Sequence, residues 1–520
     1  MAATERLARS GSYSLIGSSF AAVAALALAV LVGNGFGASG TGLFFQALAL
    51  FTIASQVLRL GTNSAIVKSI SEQRAFGRMG EAWRTVVIAV VPVVVLSVAA
   101  AVLISVFSEE LASWLGAPGQ ESDLARLLRD MAPFVVAASV LAVLTTAMRM
   151  MRGVVSFTLV QSILLPASRL LTVAAAVGLA WAYSGAFLAW MAVLPLWLVV
   201  SVAILVRPAV QDWRERRRAA ERWGGAAKRF WAFSGSRAVG GTLEILLEWS
   251  DVIIVAALAS PAAAGVYAVA TRAVRAGQVV DRAMRLAVSP TISQLLALSD
   301  VAAARDLHTS VTRALILATW PFYLLLATMG PAVLSVFGPD FGAGAVVLTI
   351  LAITMMIASA SGMLQSVLLQ GGRSSWQIYN KSLVLAISVG ANLLLVPVLG
   401  ILGAAVTWSA CVLVDTAIAS WQVHRRMGVK LEPHKLVLAM ATAMIVFGAG
   451  GLIIRVSFGP SVPVLLIGFS VLAVIYLAAL WLLRDRLGIV SLWREVPLIG
   501  RRAARSSSPQ DSPNSAKKSA

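Results

Sequence analysis

Stretches of about 20 apolar residues recur along the whole chain, and they decide what it can fold into. About 14 such stretches fit, near 13–33, 43–66, 85–107, 127–148, 154–180, 185–206, 233–259, 263–297, 311–337, 343–370, 376–397, 401–424, 434–456 and 461–483. A helix of that length crosses the hydrocarbon of a bilayer with its backbone polar groups satisfied internally. Of the 520 residues, 59% are hydrophobic and 12% charged, and the mean hydropathy is +0.86. Only a bilayer can bury so much apolar surface. The spans leave no segment long enough for a soluble catalytic domain. The first run, Leu15–Val32, follows Arg6 and Arg9 but has no clear small-residue cleavage pattern, so it reads as a first helix.

Charge then gives the orientation. There are 42 basic and 23 acidic residues, a net charge of +19. In a soluble protein that excess suggests nucleic acid; here it sits in short loops between apolar spans. Lys68, Arg74, Arg78 and Arg84 separate spans two and three, and Arg149 and Arg152 separate four and five. Arg207–Arg229 is the largest basic loop, and Arg305, Arg313, Arg373, Lys381, Arg425, Arg426, Lys430 and Lys435 mark the later ones. The alternate connections, such as Gly33–Gly42 and Trp181–Ser184, are nearly free of Lys and Arg. Every basic loop falls on one face with both termini, and the positive-inside rule makes that face cytoplasmic. The expected organisation is an all-α polytopic protein of the cytoplasmic membrane. It has a six-helix lobe at 1–206, a basic linker at 207–232, a second six-helix lobe at 233–426 and two additional helices at 427–484. In the last segment, 485–520, Leu487–Leu498 is mildly amphipathic, and Arg501–Ala520 has the composition of a disordered tail.

The two lobes share an internal repeat. Gly153, Ser156, Gly185, Ala186 and Trp190 recur as Gly371, Ser374, Gly403, Ala404 and Trp408, all at an offset of 218 residues. Gly42 and Arg59 recur as Gly265 and Arg282 at an offset of 223. Equivalent residues fall in spans of the same orientation, which describes parallel repeats about an axis along the membrane normal. Two packed bundles with a site between them at the midplane is a transporter arrangement.

Ionisable residues inside spans are costly and mark functional candidates. Arg59 lies in the inner part of span two with Gln56 on the same face, and either snorkels to the interface or lines a cavity. Arg169 is in the middle of span five, Arg237 and Glu244 are in span seven, Arg282 is in span eight and Asp415 in span twelve. Folding spans seven and eight about Pro261 sets Asp251 level with Arg272 and Glu248 level with Arg275, an ion-pair ladder that neutralises buried charge. Arg59, Arg169, Arg237 and Arg282, with Gln56, remain as a cationic set suited to a diphosphate, because guanidinium forks bind phosphate oxygens and stay charged when buried. Glu244 and Asp415 are the candidates for coupling to protons or sodium.

Other motifs carry little. Gly35–Gly40 matches GxGxxG but follows a helix and reads as a hairpin. No GxxxxGK[ST], HExxH or spaced Cys/His set occurs, and Cys411 is the single cysteine. His308, His424 and His434, near cytoplasmic helix ends, read as solvated, as does the Glu109–Glu110 cluster. No metal, cofactor or catalytic residue is expected.

Several segments resemble the polysaccharide-flippase branch of the multidrug/oligosaccharidyl-lipid/polysaccharide exporter superfamily. They are Asn392–Trp408, Gly265–Thr271, Ser289–Leu295, Leu334–Ile350, Gly371–Arg373 and Leu60–Ile70, in an order that spans roughly residues 10–425. The resemblance implies a V-shaped pair of six-helix lobes and alternating-access movement of a polyprenyl-diphosphate-linked oligosaccharide for cell-surface polysaccharide synthesis. Implied partners are that lipid-linked glycan, membrane lipids, and a polysaccharide polymerase or glycosyltransferases, with no nucleic acid. A peptidoglycan-precursor flippase and an ion-coupled multidrug exporter of the same superfamily are the alternatives.

Overall fold

The computed structural model describes residues 2–215 and 223–488, and all regular structure among them is helical. The first half comprises α1 (Ala2–Val57), α2 (Thr62–Ala75), α3 (Ala82–Val106), α4 (Ser108–Leu115), α5 (Glu121–Arg152), α6 (Val154–Phe157), a π-helical turn at Thr158–Leu164, α7 (Leu165–Gly178) and α8 (Tyr183–Glu215). The second half comprises α9 (Trp223–Leu258), α10 (Pro261–Ala276), α11 (Gln278–Ala297), α12 (Val301–Thr328), α13 (Gly330–Ser335), α14 (Ala345–Ala360), α15 (Leu364–Gln370), α16 (Ser374–Leu399) and α17 (Ile401–Trp421). Then follow α18 (Val437–Ala443), a π turn at Met444–Ala449, α19 (Gly450–Phe458) and α20 (Val462–Leu482). Part of the basic linker, 216–222, and the interfacial segment and tail beyond 488 lie outside the described residues.

Among the described residues, eleven helical stretches are long and apolar enough to cross a membrane, so the chain is a multi-pass membrane protein. The expected spans one and two are a single helical stretch bent at Gly37, whose φ of 62° suits a residue without Cβ. Thr41 Oγ1 donates to the Val32 carbonyl at 3.2 Å. In an unbroken helix those residues would stand about 13 Å apart, so the chain reverses at Gly37. The loop expected at Gly33–Gly42 is thus a sharp corner between helices. Spans seven and eight fall outside the apolar count. α9 carries Glu244, Glu248 and Asp251, and span eight divides at Gly277 into α10 and α11.

The connection at 108–124 contains α4. One further expectation changes. His308 is buried, with Gly362 against its ring, and is not solvated.

Helices in lipid gain little from hydrophobicity against one another and associate through close packing of small residues. α1 packs along α10 on Ala38 and Gly42 against Pro261 and Gly265, four-residue spacings on both sides. A Cβ on Gly42 would stand 1.7 Å from the Pro261 carbonyl oxygen, and one on Gly265 would stand 2.1 Å from that of Ala38. These two glycines, which share the 223-residue offset in the sequence, meet each other. The same corner is tied to the 336–340 turn, where Asn34 Nδ2 donates to the Val336 carbonyl at 2.8 Å and Ala38 N–H to Asp340 at 3.4 Å. α9 packs on both α1 and α16. The last helices sit on α12, held by Tyr476 OH to the Leu317 carbonyl at 2.9 Å and Arg455 to that of Thr328 at 3.1 Å.

Candidate functional site

The second span is broken in its middle. α1 ends at Val57, residues 58–61 form a turn, and α2 starts at Thr62. Leu60 (φ 49°) and Gly61 (φ 73°) both lie in the left-handed region. Gly61 faces the α9 backbone so closely that a Cβ would stand 2.4 Å from the Ser234 carbonyl oxygen. Non-helical backbone at membrane depth persists where protein or a cavity satisfies it. Here the Ser234 hydroxyl donates to the Leu60 carbonyl at 2.7 Å. Arg59 sits in this turn, so its direction is set by the break and not by helical period.

Two cavities meet at Arg59. The first, about 150 Å³, is lined by Ser55, Gln56 and Arg59 at the α1 end, Gln161 from the π turn, Arg169 from α7 and Trp190 from α8. The Arg169 guanidinium carbon lies 3.7 Å from the Trp190 ring centre, an orientation that stabilises a partly desolvated cation. Arg169 Nε and Gln161 Oε1 are buried without a hydrogen-bond partner among the described residues. The second cavity, about 560 Å³, shares Arg59 and Gln161 and adds Asn63, Lys68, Thr145, Thr146, Arg149 and Arg237. Among the described residues, no carboxylate lines either one.

The path continues into the second half. Arg237 also lines a cavity of about 180 Å³ with Glu244 and Lys381. Lys381 in turn reaches one of about 240 Å³ with Asp281, Arg285, Gln365, Trp408 and Asp415. In this last cavity the charges are matched. Lys381 Nζ lies 2.8 Å from Asp415, Gln365 Nε2 donates to the same carboxylate at 3.1 Å, and Arg285 pairs with Asp281. Trp190 and Trp408, 218 residues apart, each line one end of the path. The end of the path in the first half is thus lined by arginines without a described carboxylate, and the end in the second half by matched charges.

The structure thus gathers Gln56, Arg59 and Arg169, and brings Arg237 to the same path. It does not bring Arg282, which is exposed on α11 and lines none of these four cavities; Arg285 and Asp281 face in instead. Asp415 is held by a lysine, and Glu244 is exposed with no ion pair among the described residues. Glu248 meets Arg275 at 3.3 Å. The other rung, Asp251 with Arg272, is not an ion pair. Asp251 accepts from Tyr267 OH at 2.9 Å, while Arg272 lies 3.7 Å from the Phe45 ring centre and donates to the Ala268 carbonyl. Level positions on two helices did not fix side-chain direction, and aromatic rings took the guanidinium. Lys68 and Arg149, assigned to loops by sequence, and Lys381, expected at the inner end of span eleven, line the path. The available signal was the polar run Gly61–Ser64, which breaks span two and draws its inner end into the cavity.

The fold is thus a multi-pass bundle of packed helices with an internal polar path. The model of the family described as polysaccharide biosynthesis protein matches residues 7–296, and the chain belongs to that family. No curated protein matches it in sequence. Among solved structures it is similar to the lipid II flippase MurJ in an inward closed conformation, with a TM-score of 0.67 and 13% identity over 90% of this chain and 98% of that one. It is also similar to an inward-facing multidrug resistance MATE family transporter (TM-score 0.58, 16% identity, 82% of this chain and 95% of that one). A superfamily transporter from Pyrococcus furiosus, described as having a binding pocket of reverse polarity, gives a TM-score of 0.56 at 16% identity over 82% and 96%.

Proposed function

We propose that the protein is an alternating-access flippase that moves a polyprenyl-diphosphate-linked oligosaccharide from the inner to the outer face of the cytoplasmic membrane. The observation that carries this reading is the joined pair of cavities around Arg59, lined by Arg59, Arg169, Lys68, Arg149 and Arg237 with no carboxylate among the described residues. Such a site suits a diphosphate, through forked and point-charge contacts. A cationic drug would need the opposite sign. The family match to polysaccharide biosynthesis supports a glycan cargo. A peptidoglycan precursor bears the same diphosphate, and the likeness in fold to a lipid II flippase keeps it as the second reading.

In this reading both termini and the basic loops face the cytoplasm, and the Gly42–Gly265 crossing closes the outer end. Glu244 is the coupling acid, because Lys381 already serves Asp415. An interior-negative potential adds about 2.3 kcal/mol per exported negative charge per 100 mV. The test is export by the purified protein in liposomes, with diphosphate-linked oligosaccharide and lipid II as parallel cargoes.

A further inference from the structure

Span five is widened just before Pro166. Proline has no N–H to give the Ser162 carbonyl, and its ring crowds that oxygen. The turn before it, Thr158–Leu164, is π-helical, a form frequent at functional sites. α1 presses on this turn: a Cβ on Gly17 would stand 2.3 Å from Thr158 Cγ2 and 3.0 Å from Ser162 Cβ. Gln161, carried on the same turn, lines both the 150 Å³ and the 560 Å³ cavities. Its Oε1 is buried without a donor among the described residues. Arg169, in the wall of the smaller cavity, is held by a ring and not by a carboxylate. Its guanidinium carbon lies 3.7 Å from the Trp190 ring centre, and Trp190 is fixed by Phe187 stacked at 6.2 Å and Phe51 edge-on at 5.7 Å. The Arg169 Nε–H is buried without an acceptor among the described residues.

The two cavities offer different chemistry. Lys68, Arg149 and Arg237 line the larger and not the smaller, which has the amides of Gln56 and Gln161 beside Arg59 and Arg169. A diphosphate brings acceptors only. It can meet the Arg169 Nε–H but not Gln161 Oε1, and an amide needs both kinds of partner whichever way it is turned. A sugar hydroxyl is donor and acceptor at once. We propose that the smaller cavity reads the sugar joined directly to the diphosphate, with ring hydroxyls on Gln161 and Arg169, while the diphosphate stays in the larger cavity. This assignment rests on the diphosphate-linked cargo proposed above. Arg59 and Gln161 stand in both walls, so sugar and phosphate are held side by side. Discrimination among glycans then lies on the π turn, apart from the cationic residues of the larger cavity.

Displacement of a fluorescent polyprenyl diphosphate from the full-length protein in nanodiscs tests this. Two competitors of equal charge are compared, a polyprenyl diphosphate ending in glucose and one ending in a cyclohexyl ring. The glucosyl ligand should bind about fivefold tighter or more, because the cyclohexyl ring leaves Gln161 and Arg169 unpaired. Gln161→Leu should bring that ratio to about one. Gln161→Glu keeps an acceptor oxygen and should restore part of it. Equal wild-type affinities overturn the sugar pocket while leaving the diphosphate reading intact, and that result needs no variant to fold. A preference unchanged by Gln161→Leu places the sugar elsewhere and also overturns the pocket. A probe that does not bind at all fails the diphosphate reading itself, and the pocket with it.

Discussion

The Ser234 hydroxyl donates a hydrogen bond to the Leu60 carbonyl at 2.7 Å, tying the broken second span to a helix from the other half of the chain. Gly61 makes the same contact possible from the opposite side, with φ 73° and no room for a Cβ. Ser234→Ala should cost about 1 kcal/mol, the net worth of one hydrogen bond. Gly61→Ala should cost more, since it adds backbone strain to a clash. Thermal unfolding of the purified variants checks the order; a Gly61→Ala protein as stable as Ser234→Ala would mean that the break is not held as described.

In the proposed function, the Gly42–Gly265 crossing closes the outer end of the molecule. Gly42→Ala should keep that end from closing, because its Cβ meets the Pro261 carbonyl. In a Cys411→Ala background, Ala264→Cys reports the change, since Ala264 is fully buried beside the crossing. Its labelling by an impermeant thiol reagent added outside should rise at least threefold when Gly42→Ala is introduced. Unchanged labelling would place the gate elsewhere, and labelling only from the cytoplasmic side would invert the topology.

Lys381 holds Asp415 at 2.8 Å, with both side chains largely buried. Removing one partner leaves an uncompensated charge, so Lys381→Met and Asp415→Asn should each lower stability by a few kcal/mol. The charge swap Lys381→Asp/Asp415→Lys should recover part of the loss. Glu244→Gln should leave stability near wild type and change the sodium or pH dependence of export. A change in that dependence with Asp415→Asn, at wild-type stability, would move coupling to Asp415.

How much of this was legible in the sequence differs by feature. Eleven spans lie where apolar length puts them, and the corner at Gly37 falls in an expected connection, whereas Gly277 divides a span expected to be continuous. The break at Gly61 was not foreseen, because residues 43–66 read as one apolar run and turn geometry depends on tertiary contacts such as Ser234 to Leu60. Arg59, Gln56 and Arg169 could be picked out because charge inside a span is costly wherever it points. The direction a side chain takes was not legible. Arg282, equivalent to Arg59 by offset, is exposed, and Arg272 chose Phe45 over Asp251. Lys68 and Arg149 were hidden among loop charges because no sequence pattern distinguishes a solvated helix end from one that lines a cavity.

That contrast gives a control. Arg282→Ala should export near the wild-type rate, while Arg169→Ala should raise the cargo KM several-fold, since Arg169 stacks on Trp190 inside the path. Initial rates over a range of cargo concentrations separate the two; an Arg282→Ala defect as large as that of Arg169→Ala would restore Arg282 to the site.

The central claim is that a cationic cavity around Arg59 receives a diphosphate, and the direct measurement is export of a polyprenyl-diphosphate-linked oligosaccharide by proteoliposomes carrying wild type, Arg59→Ala or Arg59→Lys. Arg59 is the residue shared by both cavities, so Arg59→Ala should cut export at least tenfold with the protein still folded. Arg59→Lys should recover only part, because an ammonium lacks the guanidinium fork. Export by Arg59→Ala at the wild-type rate would contradict the account.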